Sequence, residues 1–289
     1  MTISKEELAE LKGQGFIKQR EGNYFAVRIL SHAGNLNSKE MMEIAEIAEK
    51  YGQGYMGFTT RLCVEVPWIA YENIPAVKKQ LKEAKLYSGG TGAKVRPLVA
   101  CKGTVCSQGL LDTQKLCNTL HEQYFTYTLP SKFKIGIAGC PNNCTKAQLH
   151  DLGLMGQMIP KLDEERCNGC GLCTHSCRAG AISIENKKAI IDREKCVDCG
   201  KCVQACKRRA MTSQASGVAL FVGGRFGRRH RLGDRIPGLF SYEEIPDLVG
   251  KILEFYKKHG KERERFADTL ERVGVHLLET ILLAKEQKQ

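Results

Sequence analysis

The sequence predicts an α+β protein in which a cysteine-rich module interrupts a larger domain. Strand and helix signals alternate over about residues 20–86, which is the first reason. The second is that eight of the fourteen cysteines fall within residues 167–206. The third is that strand and helix signals resume beyond them, so the module splits one domain into two pieces. A chain of 289 residues has room for one large domain or two ordinary ones.

The elements follow in order. Ser4-x-x-Glu7 has the capping-box pattern, so a helix starts near Ser4. The polar N-terminus has no apolar h-region, and the stretch VGVHLLETILLAK is broken by His276 and Glu279. Neither a signal peptide nor a membrane span is expected, and the expected location is the cytoplasm. YFAVRIL (24–30) reads as a strand, and NSKEMMEIAEIAEKYG reads as a helix with Met41, Ile44, Ala48 and Tyr51 at helical spacing. GYMGFTTRLCVEVPWI returns as strand, and ENIPAVKKQLKEAK is a helix with Ile74, Val77, Leu81 and Ala84 on one face. SGGTGAKVRP (88–97) is a Gly-rich hinge. Lys132 and Lys134, two apart on an expected strand, point to one face. Ser241-x-x-Glu244 opens a helix that stops near Gly260, and a final amphipathic helix covers about 262–286.

Fourteen cysteines without an export signal argue for metal ligands rather than disulfides. CNGCGLCTHSC (167–177) and CVDCGKCVQAC (196–206) each read C-x2-C-x2-C-x3-C. This is the spacing of bacterial two-cluster ferredoxins, with Arg178 and Lys207 where a proline usually follows. The fourth cysteine of each run reaches to the other cluster. Cys167, Cys170, Cys173 and Cys206 are thus expected to hold one [4Fe–4S] cluster, and Cys196, Cys199, Cys202 and Cys177 a second. A zinc module is the bland alternative, which two complete quartets disfavour. AISIENKKAIID between the runs reads as a hairpin turning at Asn186. A further pair, Cys140 and Cys144 in GIAGCPNNCTK, fits a zinc site, a disulfide or a cluster by spacing alone.

ACKGTVCSQGLLDT followed by KFKIGIAGCPNNCTKA resembles the paired-cysteine motif of the siroheme-containing sulfite and nitrite reductases. In that family C-x5-C and C-x3-C hold a [4Fe–4S] cluster, and the last cysteine bridges to the siroheme iron. The resemblance implies Cys101, Cys106, Cys140 and Cys144 as ligands, with Cys144 the bridging thiolate. Four residues separate Cys101 from Cys106, one fewer than in the family. A shortened loop is the expected explanation and Cys117 as substitute ligand the alternative; Cys63 and Cys117 are otherwise buried thiols. EGNYFAVRILSHAG and AEKYGQGYMGFTTRLCVEV are similar to the family's ferredoxin-like half-domain. The layout most resembles the dissimilatory type and the catalytic subunits of anaerobic sulfite reductases. It implies a half-domain at 1–88, a siroheme and [4Fe–4S] domain at 89–160 and 213–289, and a two-cluster ferredoxin insert at 161–212.

The activity so implied is six-electron reduction of sulfite to sulfide with siroheme and three [4Fe–4S] clusters. Arg28, Arg61, Lys132 and Lys134 fall on the family's anion-facing positions, where cations offset a dianion and relay protons. Lys134 favours sulfite, because the family's nitrite reductases tend to carry asparagine there. GGRFGRRHRLGDR suits RNA as a Gly-Arg run. The resemblance instead implies that Arg225, Arg228, Arg229 and Arg231 clamp siroheme carboxylates, with Arg96, Lys102, Asn142 and Lys146 on the same macrocycle. Three clusters and eight carboxylates would bring the net charge of +12 to roughly −2, so no nucleic acid is required. His150 and His175 are expected to be structural or surface residues. No Gly-rich dinucleotide fingerprint follows a predicted strand, so electrons are expected from a partner reductase subunit or ferredoxin. A homo- or hetero-oligomer is expected, since larger family members duplicate the half-domain and cysteine-motif pair. The rival readings are a nitrite reductase of the same build and an electron-carrying polyferredoxin without siroheme.

Overall fold

Residues 24–29 bury Phe25, Val27 and Ile29 and leave Tyr24, Ala26 and Arg28 toward solvent, an alternation that sets the first sheet. The computed structural model describes residues 3–284. The chain forms two compact units, one of residues 1–100, 117–135 and 252–278, the other of 101–116, 136–251 and the C-terminus.

The first unit opens with α1 (Lys5–Gly13), capped by the Ser4 hydroxyl accepting Glu7 N–H at 3.1 Å. Then come β1 (Phe16–Lys18), β2 (Tyr24–Ile29), α2 (Ser38–Tyr51), β3 (Gly57–Phe58), β4 (Val64–Ala70) and α3 (Ile74–Glu83). The strands form an antiparallel sheet in the order β1-β2-β4-β3. Phe16, Phe25, Val27, Ile29, Val64, Val66 and Ile69 of the sheet pack against Ile44 and Ile47 of α2 and Ile74, Val77 and Leu81 of α3. Residues 54–69, expected as one strand, are instead a hairpin. The Thr59 hydroxyl accepts the N–H groups of Arg61 (3.3 Å) and Cys63 (3.1 Å), and Leu62 takes φ 59°, so the chain turns and leaves Arg61 at the tip. Pro67 and Trp68 bulge out of β4, with Trp68 at φ 66°. Its indole stands edge-on to Tyr24 (5.7 Å) and donates to Tyr55 Oη (2.5 Å).

The two-residue strand β5 (Val99–Ala100) ends this stretch. Farther along the chain lie α4 (Thr113–Tyr124), β6 (Ile135–Ala138) and β7 (Leu152–Leu162). Lys132 and Lys134 precede the regular strand: between them Phe133 makes a single parallel bridge to Val95. Phe133 is fully buried and packs against Tyr256 and Phe266 at 5.8 and 5.2 Å. That anchor fixes the backbone from which both lysines project, leaving Lys132 exposed and Lys134 half-buried.

In the second unit the inserted segment carries α5 (Leu172–Ser176), β8 (Ile182–Glu185), β9 (Lys188–Ile191) and α6 (Lys201–Ala205). β8 and β9 pair as an antiparallel hairpin, with Asn186 (φ 49°) and Lys187 (φ 60°) both left-handed as a tight two-residue turn demands. β10 (Met211–Val222) then runs antiparallel to β7, with Met211 opposite Leu162. The chain therefore leaves and rejoins the sheet at adjacent positions, closed by Asp163 N–H to Ala210 O at 2.7 Å. β11 (Asp234–Arg235), β10, β7 and β6 lie side by side in that order. α7 (Ile245–His259) follows Ser241, whose N–H and hydroxyl donate to Glu244 at 2.7 and 2.6 Å.

The expected single C-terminal helix is two, α8 (Phe266–Val273) and α9 (Val275–Leu283), because Gly274 takes φ 88° and ends the first. The last residues of the expected span, 285–286, lie outside the described residues. Among the described residues no helix is long and apolar enough to cross a membrane.

Arg272 of α8 donates to Glu264 at 2.7 Å and holds its carboxyl at about 2, below the ordinary 4.5. The folded value lies below the unfolded one, so this stabilisation is complete above about pH 4.5 and fades as pH falls toward 2. Solvent screening keeps the contribution of the pair small. Arg272→Met is expected to lower the melting temperature at neutral pH by about 2–4 °C. It should also flatten the acid-side loss of stability, followed by circular dichroism.

Candidate metal and anion sites

Bare backbone packed on backbone carries the first four cysteines. A Cβ on Gly139 would lie 2.9 Å from Gly103 Cα, and one on Gly156 would lie 2.5 Å from Gly139 O. Cys101 N–H donates to Ile137 O at 3.0 Å, and Gly139 N–H donates to Cys101 Sγ at 3.1 Å. Thr113 Oγ1 and Gln114 Nε2, at the start of α4, hold Cys101 O at 2.7 and 2.9 Å. The short loop closes through Cys106 N–H to Lys102 O (3.0 Å) and Gly109 N–H to Cys106 O (2.8 Å).

The second pair sits on a turn built by Asn143. This residue is left-handed (φ 53°), donates its N–H to Cys140 O at 3.1 Å and caps Ala147 N–H through Oδ1 at 2.7 Å. The expected Asn142 side chain is exposed, but its backbone N–H donates to Cys140. Asparagine's tolerance of the left-handed region was the available signal for Asn143. Burial raises the Cys140 thiol, and the nearby sulfurs of Cys101, Cys144 and Cys106 raise it further. The structure thus gathers all four cysteines despite the shortened spacing. Cys117 belongs to the other unit, is buried in α4, and is pushed up to about 12 by that burial. Burial likewise raises Cys63. Both are protonated thiols, Cys63 because burial outweighs the nearby charges of Arg28 and Arg61.

In the inserted segment Cys167, Cys170, Cys173 and Cys206 line one hollow. Cys177, Cys196, Cys199 and Cys202 line another, so the two are alike in ligand type. Backbone N–H groups aim at the sulfurs: Ala181 at Cys177 (3.3 Å), and Ala210 and Met211 at Cys206 (3.2 and 3.3 Å). Among the described residues no three His, Cys, Asp or Glu side chains converge tightly enough for one metal ion. A zinc draws its thiolates onto a single centre, whereas a cubane gives each thiolate its own iron and spaces them around a hollow. The donor set and the N–H···S bonds fit thiolate-held clusters.

The first unit concentrates cations. Arg28, opposite Glu65 in the β2–β4 register, donates to it at 2.7 Å. Arg61 Nε donates to Pro97 O at 2.8 Å. Arg96 donates to Gly90 O at 2.8 Å, while its buried Nε has no hydrogen-bond partner. Burial lowers Arg96 from its ordinary value, and the charges of Arg28 and Arg265 lower it further. Arg265 was not foreseen; it stands in the run KERERF, which reads as solvated surface charge. Such crowding of like charges, with a guanidinium nitrogen left unsatisfied, fits an anionic group.

The remaining expected contacts are scattered over the second unit's surface. Arg225 and Arg231 bridge a hairpin whose tip exposes Arg228 and Arg229. Arg231 is held by Asp234 at 2.7 Å and by Gly223 O at 3.0 Å. Lys102 and Lys146 are exposed. Thr145 Oγ1, beside Cys144, is buried without a hydrogen-bond partner. His150 packs on Gly136 and bonds Lys146 O at 3.1 Å; His175 is exposed.

Residues 91–288 match the nitrite and sulphite reductase 4Fe-4S domain, and residues 17–84 the nitrite/sulfite reductase ferredoxin-like half domain. A coenzyme F420-dependent sulfite reductase of Methanocaldococcus jannaschii is 38% identical over 90% of this chain and 42% of its own length. An anaerobic sulfite reductase subunit of Salmonella typhimurium is 30% identical over 63% of this chain and 56% of its own. This chain thus spans about half the length of these relatives. A crystal structure of dissimilatory sulfite reductase I superposes with a TM-score of 0.73 at 21% identity, covering 91% of this chain and 69% of that one. The likeness extends to the fold.

Iron analysis separates the two readings of the short loop. Cys106→Ala is expected to remove about four irons per chain, and Cys117→Ala to remove none.

Proposed function

The chain belongs to the nitrite and sulphite reductase family, and on that premise we propose that it is the siroheme-bearing part of a sulfite reductase. The observation that carries the reading is the arginine group of the first unit, half-buried, with Arg28 and Arg265 repelling Arg96 and with Arg96 Nε unsatisfied. A bare electron carrier has no use for it. When bound, the clusters and siroheme would supply the six electrons that convert sulfite to sulfide.

Cys101, Cys106, Cys140 and Cys144 would hold the cluster that serves siroheme, and Cys144, exposed like Cys106, would be the ligand nearest the macrocycle. The quartets lining the two hollows would hold two more clusters. Arg28 and Arg61 are fixed by Glu65 and by Pro97 O, so their charges are in place before an anion arrives. Lys132 and Lys134, set on either side of the Phe133 anchor, supply ammonium groups that offset the dianion and pass protons to leaving oxygens. Arg225, Arg228, Arg229 and Arg231, with Arg96, Lys102, Asn142 and Lys146, are the residues we assign to the macrocycle. An electron-donor protein completes the system in the cytoplasm.

Anaerobically purified protein is expected to show siroheme absorption and about thirteen irons per chain. Iron near eight with no tetrapyrrole band would make the chain an electron carrier instead. Lys134→Asn is expected to lower kcat/KM for sulfite by about ten- to a hundredfold while nitrite turnover changes less. A wild type that prefers nitrite would overturn the choice of substrate.

A further inference from the structure

The two cysteine loops of the inserted segment are one motif written twice, DEERCNGCG (163–171) and DREKCVDCG (192–200). The frames repeat in three dimensions as well. Asp163 Oδ1 accepts the N–H groups of Glu165 and Arg166 at 3.1 and 3.3 Å, and its carboxylate pairs with Arg166. Asp192 Oδ1 accepts those of Glu194 and Lys195 at 3.0 and 3.3 Å, and its carboxylate pairs with Lys195. Charge changes at two places between the copies: Glu164 becomes Arg193, and Gly169 becomes Asp198.

Those two changes meet. Arg193 Nη2 donates to Asp198 Oδ1 at 2.8 Å, and its Nη1 donates to Cys196 Sγ at 3.5 Å. Cys196 Sγ itself lies 3.6 Å from the same Asp198 oxygen. Asp198 is only 8% exposed and takes φ 56°, the left-handed region that its counterpart Gly169 (φ 69°) enters at no steric cost. In the first loop a side chain is barred at that place, because a Cβ on Gly169 would lie 2.7 Å from the Lys187 backbone. Strand β7 fixes the second loop from behind: Met158 N–H donates to Asp198 O at 2.7 Å, and Gln157 Nε2 donates to Val197 O at 3.4 Å. The second quartet thus has a buried carboxylate and a guanidinium against one of its sulfurs, and at the matching places the first has a glycine and the exposed Glu164.

We propose that the Arg193–Asp198 pair sets the reduction potential of the Cys177, Cys196, Cys199 and Cys202 centre independently of its twin. The inference rests on the two-cluster reading proposed above and names positioning residues that act through Cys196. A thiol can donate to the Asp198 oxygen, but an iron-bound thiolate has no proton to give and meets a bare carboxylate. Arg193 touches both groups and offsets that repulsion. Reduction adds one negative charge, so the cation beside Cys196 favours the reduced state and the carboxylate opposes it. Scarcity of water around Asp198 strengthens both effects.

The test titrates the anaerobic holoprotein with dithionite, one electron to each centre with no bond made or broken, and follows EPR signals against potential. Arg193→Met is expected to lower one [4Fe–4S] midpoint, shifting the oxidised-to-reduced ratio at fixed potential by about tenfold, which is ~59 mV for a one-electron couple. Asp198→Asn, which keeps an acceptor for Arg193, is expected to raise the same midpoint by about threefold or more in that ratio. Lys195→Met removes the same charge beside Cys196 without touching a sulfur and is expected to move neither midpoint. Opposite shifts at one centre mark electrostatic control, since mere loosening of the loop would move both variants the same way. Unmoved midpoints, shifts of one sign, or an equal shift in Lys195→Met would overturn the proposal. Should Arg193→Met lose iron, the sign of the Asp198→Asn shift decides. A wild type without cubane EPR signals sinks the cluster reading itself, whereas intact signals with unmoved midpoints sink this inference alone.

Discussion

The β7–β10 ladder is the constraint on which the cysteine chemistry depends. Its eleven paired positions run from Val222 opposite Leu152 to Met211 opposite Leu162. Near its middle, Gly156 lets the Cys140 loop approach backbone to backbone; at the Met211–Leu162 end, the ladder clamps the two ends of the inserted segment. A side chain at Gly156, or at Gly200 where Met158 intrudes, would force these loops apart. A rigid antiparallel ribbon thus holds in place cysteine loops that are short and contain little regular structure of their own.

Charge is the second organising force, and it works differently in the two units. The inserted segment offers sulfur donors with N–H groups turned toward them. The half-domain side offers guanidinium groups fixed by a carboxylate and by carbonyl oxygens. Burial first, and the charges of Arg28 and Arg265 second, lower Arg96, and an anion held beside it would offset both costs.

Much of this was legible from the chain alone, for identifiable reasons. The two cysteine quartets were readable because their C-x2-C-x2-C-x3-C spacing repeats, and the structure surrounds two hollows with the same crossed sets. Periodicity exposed the sheet and helices of the half-domain, since their buried faces repeat every two or every three to four residues. The turn at Thr59–Leu62 was not legible, because a hydroxyl that folds back on two N–H groups leaves no periodic trace. Nor was the break at Gly274, where an apolar pattern runs on through a left-handed glycine. Arg265 was hidden for another reason. Its neighbourhood with Arg96 is a long-range property of the fold.

The bulged Trp68 is the chain's only tryptophan. Wedged against Tyr24 and bonded to Tyr55, it belongs wholly to the half-domain sheet. Indole emission therefore watches one unit of the protein, while any colour from cysteine-held iron watches the other. The molecule carries two independent optical gauges, and the order in which its parts come undone under heat or denaturant can be read without adding a label.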